Sequence, residues 1–305
     1  MNFSFFKNKE KILFYGSNGW IGTLFKEHLL EKKINFVEGS SRLENYEDIK
    51  TELDFIKPTH VVSFTGRTHG EIKNEKGETV PIGTIDYLEY PGKLVENIQD
   101  NLYGPLNLAM LCKKYHIHYT YLGTGCIFNS TGLDSKTPES FKEEDLPNYF
   151  GSGYSIVKGF TDQIMHNLPV LNLRIRMPIH SKINDRNFIT KITKYNRICS
   201  INNSMTVLDD FFPIFLDLIL KKKIGTYNCV NPGLINHNEV LQLYKKFVDT
   251  SFTWKNMTIE EQSKILKSDR SNNSLDTTKI FSEYPKLKHI KDSVKNILTN
   301  YTDLC

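Results

Sequence analysis

The stretch Lys11-Ile12-Leu13-Phe14-Tyr15-Gly16-Ser17-Asn18-Gly19-Trp20-Ile21-Gly22 decides the fold of this chain. Its first five residues predict a short buried β-strand, and the apolar spacing over residues 20–32 predicts a helix directly after it. The three glycines have a GxxGxxG spacing, one residue away from the dinucleotide fingerprint GxGxxG, in which the backbone approaches a pyrophosphate at the helix N-terminus. We therefore predict a nucleotide-binding turn rather than a merely structural one. Its expected cofactor contacts are Gly16, Asn18, Gly19, Trp20, Ile21 and Gly22.

The alternation of strand and helix continues along the chain. Further strands are predicted at residues 35–38, 59–64, 118–122 and 170–175, and helices at 46–56, 94–115 and 152–166. This succession predicts an α/β fold with a Rossmann-like, doubly wound parallel sheet. We expect this dinucleotide-binding domain to span residues 1–176 and to be rejoined by about 205–232, through a strand at 226–230. Residues 177–204 and 233–305 would form a smaller C-terminal domain for the substrate.

Residues 67–93 interrupt the alternation. They are polar, carry several glycines and prolines, and show no periodicity. We predict a long exposed loop here, which is either a solvated insertion or a lid over a substrate.

Composition excludes several functional classes. The formal net charge is +4 and the lysines are scattered, which suits small anionic ligands and does not demand nucleic acid. The five cysteines form neither a CxxC pair nor a Cys/His metal pattern. Residues 1–11 lack the apolar core of a signal peptide, and nowhere do 18 apolar residues run together. We therefore predict a cytoplasmic protein that uses no metal, nucleic acid or membrane.

The end of the second predicted strand bears on the choice of dinucleotide. It reads Glu38-Gly39-Ser40-Ser41-Arg42, and Ser41 with Arg42 favours NADPH, because an arginine there accommodates a 2′-phosphate. Glu38 leaves NADH as an alternative, and the alternative for Arg42 is a solvated surface charge. Thr65 and Gly66, directly after the third predicted strand, complete the expected cofactor contacts.

A reductase group is predicted from Thr124, Tyr154 and Lys158. Tyr154 and Lys158 are four residues apart and share one helix face, where the ammonium would lower the pKa of the phenol and hold the nicotinamide ribose. Thr124 lies just beyond a predicted strand and would bond the same substrate carbonyl oxygen. The alternative is an amphipathic helix with a half-buried tyrosine. On the next strand, Arg174 and Arg176 alternate, and we expect a fold-stabilising ion pair there.

Longer strings carry a more specific signal. They are Tyr15-Gly16 with Gly19-Trp20-Ile21-Gly22, Gly39-Ser40-Ser41-Arg42-Leu43-Glu44-Asn45, Lys57-Pro58-Thr59-His60-Val61, Thr124-Gly125-Cys126-Ile127-Phe128, Phe141-Lys142-Glu143-Glu144-Asp145, Arg174-Ile175-Arg176-Met177-Pro178-Ile179, Arg186-Asn187-Phe188-Ile189-Thr190-Lys191 and Arg270-Ser271-Asn272-Asn273. Over residues 11–300 the chain resembles the extended short-chain dehydrogenase/reductase family, and within it the bifunctional UDP-4-keto-6-deoxy-D-glucose 3,5-epimerase/4-reductases. In plants, this activity is the last module of UDP-L-rhamnose synthesis. The segment 67–93 is longer than this resemblance leads us to expect.

The resemblance implies roles for further residues. Cys126 and Lys191 would be the acid/base pair of epimerisation, with Lys191 on a helix predicted at 187–195. Read without the resemblance, a lone cysteine after a strand is more often a small buried side chain. The substrate contacts implied for the diphosphate, uracil and ribose are Arg270, Asn187, Phe188 and Val207, with Asn273 beside them.

The resemblance thus predicts the reaction as a whole. UDP-4-keto-6-deoxy-D-glucose would be epimerised at C3 and C5 and then reduced at C4 with NADPH, giving UDP-L-rhamnose. The preceding 4,6-dehydratase would be another chain, and a homodimer is a possible assembly. Two alternatives stay open: a single-function 4-reductase of a dTDP- or GDP-linked sugar, and a non-catalytic NADP-binding regulatory subunit.

Overall fold

The computed structural model describes residues 10–301. The prediction that residues 1–11 contain no signal peptide falls mostly outside the described residues, and so does Cys305. The strands are β1 (Ile12–Tyr15), β2 (Phe36–Glu38), β3 (His60–Ser63), β4 (Gly70–Lys73), β5 (Thr79–Ile82), β6 (His118–Thr124), β7 (Ser140–Phe141), β8 (Val170–Ile175), β9 (Arg197–Ile198), β10 (Gly225–Asn228), β11 (Lys255–Asn256) and β12 (Ser274–Leu275). The α-helices are α1 (Trp20–Glu31), α2 (Tyr46–Ile56), α3 (Lys93–Ile98), α4 (Gly104–Lys114), α5 (Gly153–His166), α6 (Phe188–Thr193), α7 (Leu208–Leu220), α8 (His237–Phe247), α9 (Ile259–Ser263), α10 (Thr278–Glu283) and α11 (Ile290–Thr299).

The main sheet of the described part is six-stranded and parallel, with the strand order β10-β8-β6-β3-β1-β2. All four residues of β1 are buried, as expected for a strand covered on both faces. One apolar cluster packs α1 and α7 on one face, and a second packs α2 and α4 on the other. The predicted doubly wound Rossmann-like fold is confirmed.

The strand order reverses between β1 and β3, and this reversal locates the ligand crevice. Chain connections leave in opposite directions at such a point, so a crevice opens beyond the carboxyl ends of the two strands. Gly16 follows β1 there, and a Cβ on Gly16 would lie 2.7 Å from the carbonyl carbon of Phe64, the residue after β3. The glycine turn and the predicted contacts Thr65 and Gly66 are therefore neighbours.

The strand predicted at 226–230 is present as β10 and pairs in parallel with β8. A further apolar cluster is made wholly by residues between 177 and 301. The division into two domains with the stated boundaries stays a prediction.

The prediction of a long exposed loop at residues 67–93 is wrong. β4 and β5 pair there as an antiparallel hairpin, and a 3₁₀ turn at Ile85–Glu89 has Asp86, Tyr87 and Leu88 buried. The hairpin follows from a short alternation in which Ile72, Val80 and Ile82 are more buried than the residues on either side of them. These runs were too short to stand out among the surrounding glycines and prolines.

The helix predicted at 94–115 is present with an interruption. Between α3 and α4, residues Gln99–Tyr103 form a π turn. Pro105, near the start of α4, has no backbone N–H and crowds the preceding turn, which accounts for a wider local helix.

Within residues 10–301, no helix is long and apolar enough to cross a membrane.

Candidate active site

The glycine turn is shaped for close backbone approach. Gly16 has φ of +80°, and a Cβ on Gly22 would lie 1.9 Å from the carbonyl oxygen of Gly16. Among the described residues, no side chain caps the first turn of α1. Its backbone N–H groups are therefore available to an anion, and the turn fits the pyrophosphate of a dinucleotide.

The carboxyl end of β2 holds both residues considered for cofactor choice. The carboxylate of Glu38 accepts from Ser17 Oγ at 2.6 Å and pairs with Lys26 at 3.3 Å, contacts that lower the pKa of Glu38. The Arg42 side chain is 79% exposed and lies 3.4 Å from Glu44. Glu38 is thus already engaged while Arg42 can turn towards a ligand, yet the preference for NADPH over NADH stays a prediction.

Thr124, Tyr154 and Cys126 are brought together by the ends of β6 and α5. Thr124 is the last residue of β6, and its Oγ1 accepts from the backbone N–H of Cys126 at 3.1 Å. Ser155 Oγ donates to the carbonyl oxygen of Cys126 at 2.7 Å, which ties the first turn of α5 to the end of β6. Tyr154 is therefore held beside Thr124 and Cys126.

Burial sets the protonation of the tyrosine and lysine. Burial raises the pKa of Tyr154, the neighbouring Cys126 adds to this, and the hydrogen bond with Thr124 opposes it. Burial lowers the pKa of Lys158 to about 8, although the neighbouring Asp162 and Cys126 act in the opposite direction. The Tyr154 phenol is thus protonated at neutral pH and can donate a proton.

The predicted lowering of the Tyr154 pKa by Lys158 is wrong for this structure. The ammonium of Lys158 donates to the hydroxyl of Tyr121 and lies 4.4 Å from that ring's centre. Lys158 therefore contacts Tyr121 of β6, and not the Tyr154 phenol that the sequence spacing predicted.

The two arginines at the end of β8 differ. Arg174 forms the expected ion pair, with its Nη2 2.6 Å from Asp162. For Arg176 the prediction is wrong: among the described residues its partners are Ser271, Asn203, the Gly125 carbonyl and Cys126, none of them a carboxylate. Its Nη1 lies 3.7 Å from Cys126 Sγ.

Lys191, on α6, belongs to a cationic cluster. The pKa of Lys191 is lowered to about 8, mainly by burial and then by the charges of Arg186 and Arg270. The pKa of His69 is likewise lowered to about 4, by burial first and then by Arg186, Arg67 and Lys191. Repulsion among these groups makes the cleft suited to an anionic ligand such as a diphosphate.

Sequence reasoning missed several members of this cluster. Arg186 stood only inside a matched string, and Arg67 and His69 lay in the segment interpreted as a loop. No local periodicity distinguishes them, since they meet only through the fold.

The predicted substrate contacts differ in their availability. Arg270 pairs with Asp86 of the 3₁₀ turn and donates to the Ser268 carbonyl at 3.0 Å. Phe188 is half-buried, with its ring centre 5.1 Å from that of His237. Both side chains border the region of Lys191.

Three other predicted contacts are buried and engaged in the fold. Asn187 caps α6 and donates to the His180 carbonyl at 2.7 Å. The backbone N–H of Val207 donates to Asn231 at 2.8 Å. Asn273 donates to the carbonyls of Gly125 and Phe128, each at 2.8 Å, and so supports the turn that carries Cys126. Their direct contact with substrate stays a prediction.

The 3₁₀ turn at Ile85–Glu89 is an unpredicted part of the site. Tyr87 and Leu88 pack with Tyr154, and Cys126 lies against the same cluster. Glu89 Oε1 accepts from the backbone N–H of Gly153 at 2.7 Å, at the start of α5. This segment therefore forms a wall beside the tyrosine and the thiol.

A doubly wound sheet with an uncapped glycine turn, together with adjacent Thr124, Tyr154 and Lys158, defines an enzyme of the short-chain dehydrogenase/reductase class. The profile of the NAD dependent epimerase/dehydratase family matches residues 12–175. The chain belongs to that family.

Its relatives confirm the narrower resemblance. The chain is 49% identical to protein L780 of Acanthamoeba polyphaga mimivirus over 95% of this chain and 98% of that one. The crystal structure of L780, described as a UDP-rhamnose synthase, superposes with a TM-score of 0.90 and covers 95% of this chain and 99% of that one.

Two proteins of Arabidopsis thaliana are also similar. A bifunctional dTDP-4-dehydrorhamnose 3,5-epimerase/dTDP-4-dehydrorhamnose reductase is 40% identical over 92% of this chain and 90% of its own. A trifunctional UDP-glucose 4,6-dehydratase/UDP-4-keto-6-deoxy-D-glucose 3,5-epimerase/UDP-4-keto-L-rhamnose-reductase is 38% identical over 93% of this chain and 41% of its own. The chain thus corresponds to less than half of the trifunctional protein.

Proposed function

We propose that this chain converts UDP-4-keto-6-deoxy-D-glucose to UDP-L-rhamnose, by 3,5-epimerisation and then NADPH-dependent reduction of the C4 ketone. The observation that carries the proposal is the adjacency of the partly exposed Cys126 to the buried Thr124 and Tyr154. A group able to move a carbon-bound proton lies beside two hydroxyls able to bond a carbonyl oxygen. The names of the similar proteins support the same pair of reactions.

The epimerisation requires an acidic carbon. A ketone at C4 acidifies the hydrogens on C3 and C5, because removing either places negative charge on O4 as an enolate. The hydroxyls of Thr124 and Tyr154 would stabilise that charge. Cys126 and Lys191 would transfer protons on opposite faces of the ring, and the lowered pKa of Lys191, about 8, permits exchange near neutral pH.

The reduction uses the same carbonyl site. When bound, NADPH supplies the hydride for C4. Tyr154 would donate the proton to O4, since burial keeps its phenol protonated, and Thr124 would hold that oxygen in place. Lys158 lies one helical turn from Tyr154, where it would contact the nicotinamide ribose.

The cationic cluster supports a diphosphate-linked substrate. Arg186 and Arg270 both lie close enough to Lys191 that their charges lower its pKa. We assign the diphosphate to Arg270 and Arg186. The 4-keto-6-deoxy sugar would come from a 4,6-dehydratase on another chain, and the trifunctional relative, whose name includes that activity, supports this order.

Hydrogen exchange tests the bifunctional assignment. In D2O without NADPH, the protein should introduce deuterium at C3 and C5 of UDP-4-keto-6-deoxy-D-glucose, as followed by NMR. Cys126→Ala should slow this exchange by about 100-fold or more, the typical effect of losing an acid/base group. Cys112→Ala, which alters a thiol in the core cluster of α2 and α4, is the matched control and should exchange like the wild type. Absence of exchange in the wild type would leave a single-function reductase.

A second variant separates reduction from binding. Tyr154→Phe should lower the rate of C4 reduction by about 100-fold or more while NADPH still binds, because only the proton donor is removed. Running the assay with UDP- and dTDP-linked substrates would identify the nucleotide. Unchanged reduction by Tyr154→Phe would exclude this tyrosine as the proton donor.

A further inference from the structure

The guanidinium of Arg176 has an unbalanced charge. Arg176 is 1% exposed, and its partners within residues 10–301 are neutral groups and one thiol. Its Nε has no hydrogen-bond partner in that part of the chain. A buried cation without a counter-ion is costly, so a group nearby is expected to supply negative charge.

Arg174 provides the comparison within the same segment. It is equally buried, yet Asp162 neutralises it through two hydrogen bonds of 2.6 and 2.9 Å. The fold therefore provides a carboxylate for one of the two arginines. For the other, the nearest acidic group in contact is Cys126, with Sγ 3.7 Å from Nη1.

We propose that Arg176 is the counter-ion that holds Cys126 as a thiolate in the resting enzyme. Ser271 and Asn203 fix the guanidinium, with distances of 2.8 Å from Nη1 to Ser271 Oγ and 2.5 Å from Nη2 to Asn203 Oδ1. Nη2 also donates to the Ser271 carbonyl at 2.5 Å, and the guanidinium fixed in this way has Nη1 3.7 Å from Cys126 Sγ. Arg176 is thus a positioning residue, because it acts through Cys126. The use of the thiolate in epimerisation rests on the proposed function, whereas the contact between Arg176 and the sulfur does not.

Other titratable groups share this environment. Cys126 is faced by Tyr154 and Lys158 from α5 and by Tyr149 from the segment before it. Arg176 also faces His237 at the start of α8. Of these, Lys158 is the other cation, and its ammonium is directed to Tyr121, which leaves Arg176 as the cation in contact with the sulfur.

The test is the pH dependence of Cys126 alkylation by iodoacetamide, read by mass spectrometry of the Cys126 peptide. In the wild type, the alkylation midpoint should lie below that of N-acetylcysteine, because a thiolate is the reactive form. Arg176→Met should slow alkylation at pH 7 by about tenfold or more, because a thiol whose midpoint lies about one unit or more above that pH is at most about one-tenth ionised. Arg176→Lys should restore most of the rate.

Ser271→Ala is the structural control. It removes a hydrogen bond to Arg176 but keeps the charge, so its alkylation midpoint should stay near the wild-type value. Thermal melting would show which variants fold. If Arg176→Met does not fold, the wild-type protein decides alone: a midpoint at or above that of N-acetylcysteine overturns the proposal.

The outcome is separable from that of the proposed function. An unchanged midpoint in folded Arg176→Met, with deuterium exchange intact in the wild type, would overturn the counter-ion role and leave epimerisation standing. A raised alkylation midpoint in Arg176→Met, together with no deuterium exchange in the wild type, would support the counter-ion role and overturn the epimerisation.

Discussion

Lys191 shows how burial among like charges prepares a side chain for proton transfer. Its amine is largely removed from water and has Arg186 and Arg270 nearby, which together lower its pKa to about 8. Lys194, one turn further along the chain, is exposed and paired with Asp185 at 2.5 Å. Two lysines three residues apart therefore have different chemistry.

We expect Lys191→Met to slow deuterium exchange at C3 or C5 by about 100-fold, because one proton carrier is removed. Lys194→Met is the matched control and should exchange at the wild-type rate. Both rates are measured by NMR in D2O without NADPH. Equal exchange by the two variants would contradict the role of Lys191.

At the scale of elements, the β1–α1 connection depends on glycine for close packing. A Cβ on Gly22 would meet the backbone of Gly16 at 1.9 and 2.8 Å, and backbone atoms cannot move aside as a flexible side chain can. The first turn of α1 is thus pressed against the end of β1. This contact shapes the anion site.

Gly22→Ala should therefore weaken NADPH binding by about tenfold or more and lower the melting temperature, since overpacking costs about 1–3 kcal/mol. Gly83→Ala is the control, because a Cβ there would meet nothing within 4 Å among the described residues. Fluorescence titration with NADPH measures the affinity of both variants, and thermal unfolding measures their melting temperatures. Wild-type affinity in Gly22→Ala would show that the turn relaxes without cost to the site.

The segment between β3 and α3 acts as part of the active-site wall. Its hairpin residues Ile72 and Ile82 pack against the apolar cluster that contains Tyr87 and Tyr154. Asp86 in the same segment pairs with Arg270, the predicted diphosphate ligand. An element first interpreted as solvated thus contacts both ends of the proposed substrate site, and its action as a lid stays a prediction.

At the scale of the whole molecule, buried histidines make stability depend on pH. Burial is the main cause that lowers the pKa of His60 and His237 from 6.5 to about 4. Glu10, 3.2 Å from His60, opposes the shift without reversing it. These side chains stay neutral in the folded protein at pH values where the unfolded chain has protonated them.

The stabilisation that comes from keeping these histidines neutral should therefore be fully present above about pH 6.5. It should be lost as the pH falls from 6.5 towards 4, where the unfolded state binds more protons. A single histidine of this kind contributes at most about 1.4 kcal/mol per pH unit. Urea unfolding at several pH values measures the slope. His60→Gln should flatten it, whereas the exposed His166→Gln should not; a slope unchanged by His60→Gln would contradict the assignment.

The expected cytoplasmic location and homodimer remain predictions. Sedimentation of the full chain would measure its assembly directly.

Local patterns in the sequence determined the framework of this protein. The run from Lys11 to Gly22 predicted a strand, a turn and a helix, and Tyr154 with Lys158 predicted a shared helix face, because these features depend on neighbours within a few residues. The alternation of elements was then enough to predict the parallel sheet. Matched strings added Cys126 and Lys191.

Only the tertiary structure decided which charges meet. Arg176 reaches Cys126, Asn203 and Ser271, which are up to 95 residues away along the chain, and Asp86 reaches Arg270 across 184 residues. No periodicity records such contacts, since they depend on how distant segments pack. For the same reason, the sequence did not show that Lys158 donates to Tyr121 rather than to Tyr154. Nor did it show that, among the described residues, Arg174 pairs with a carboxylate and Arg176 does not.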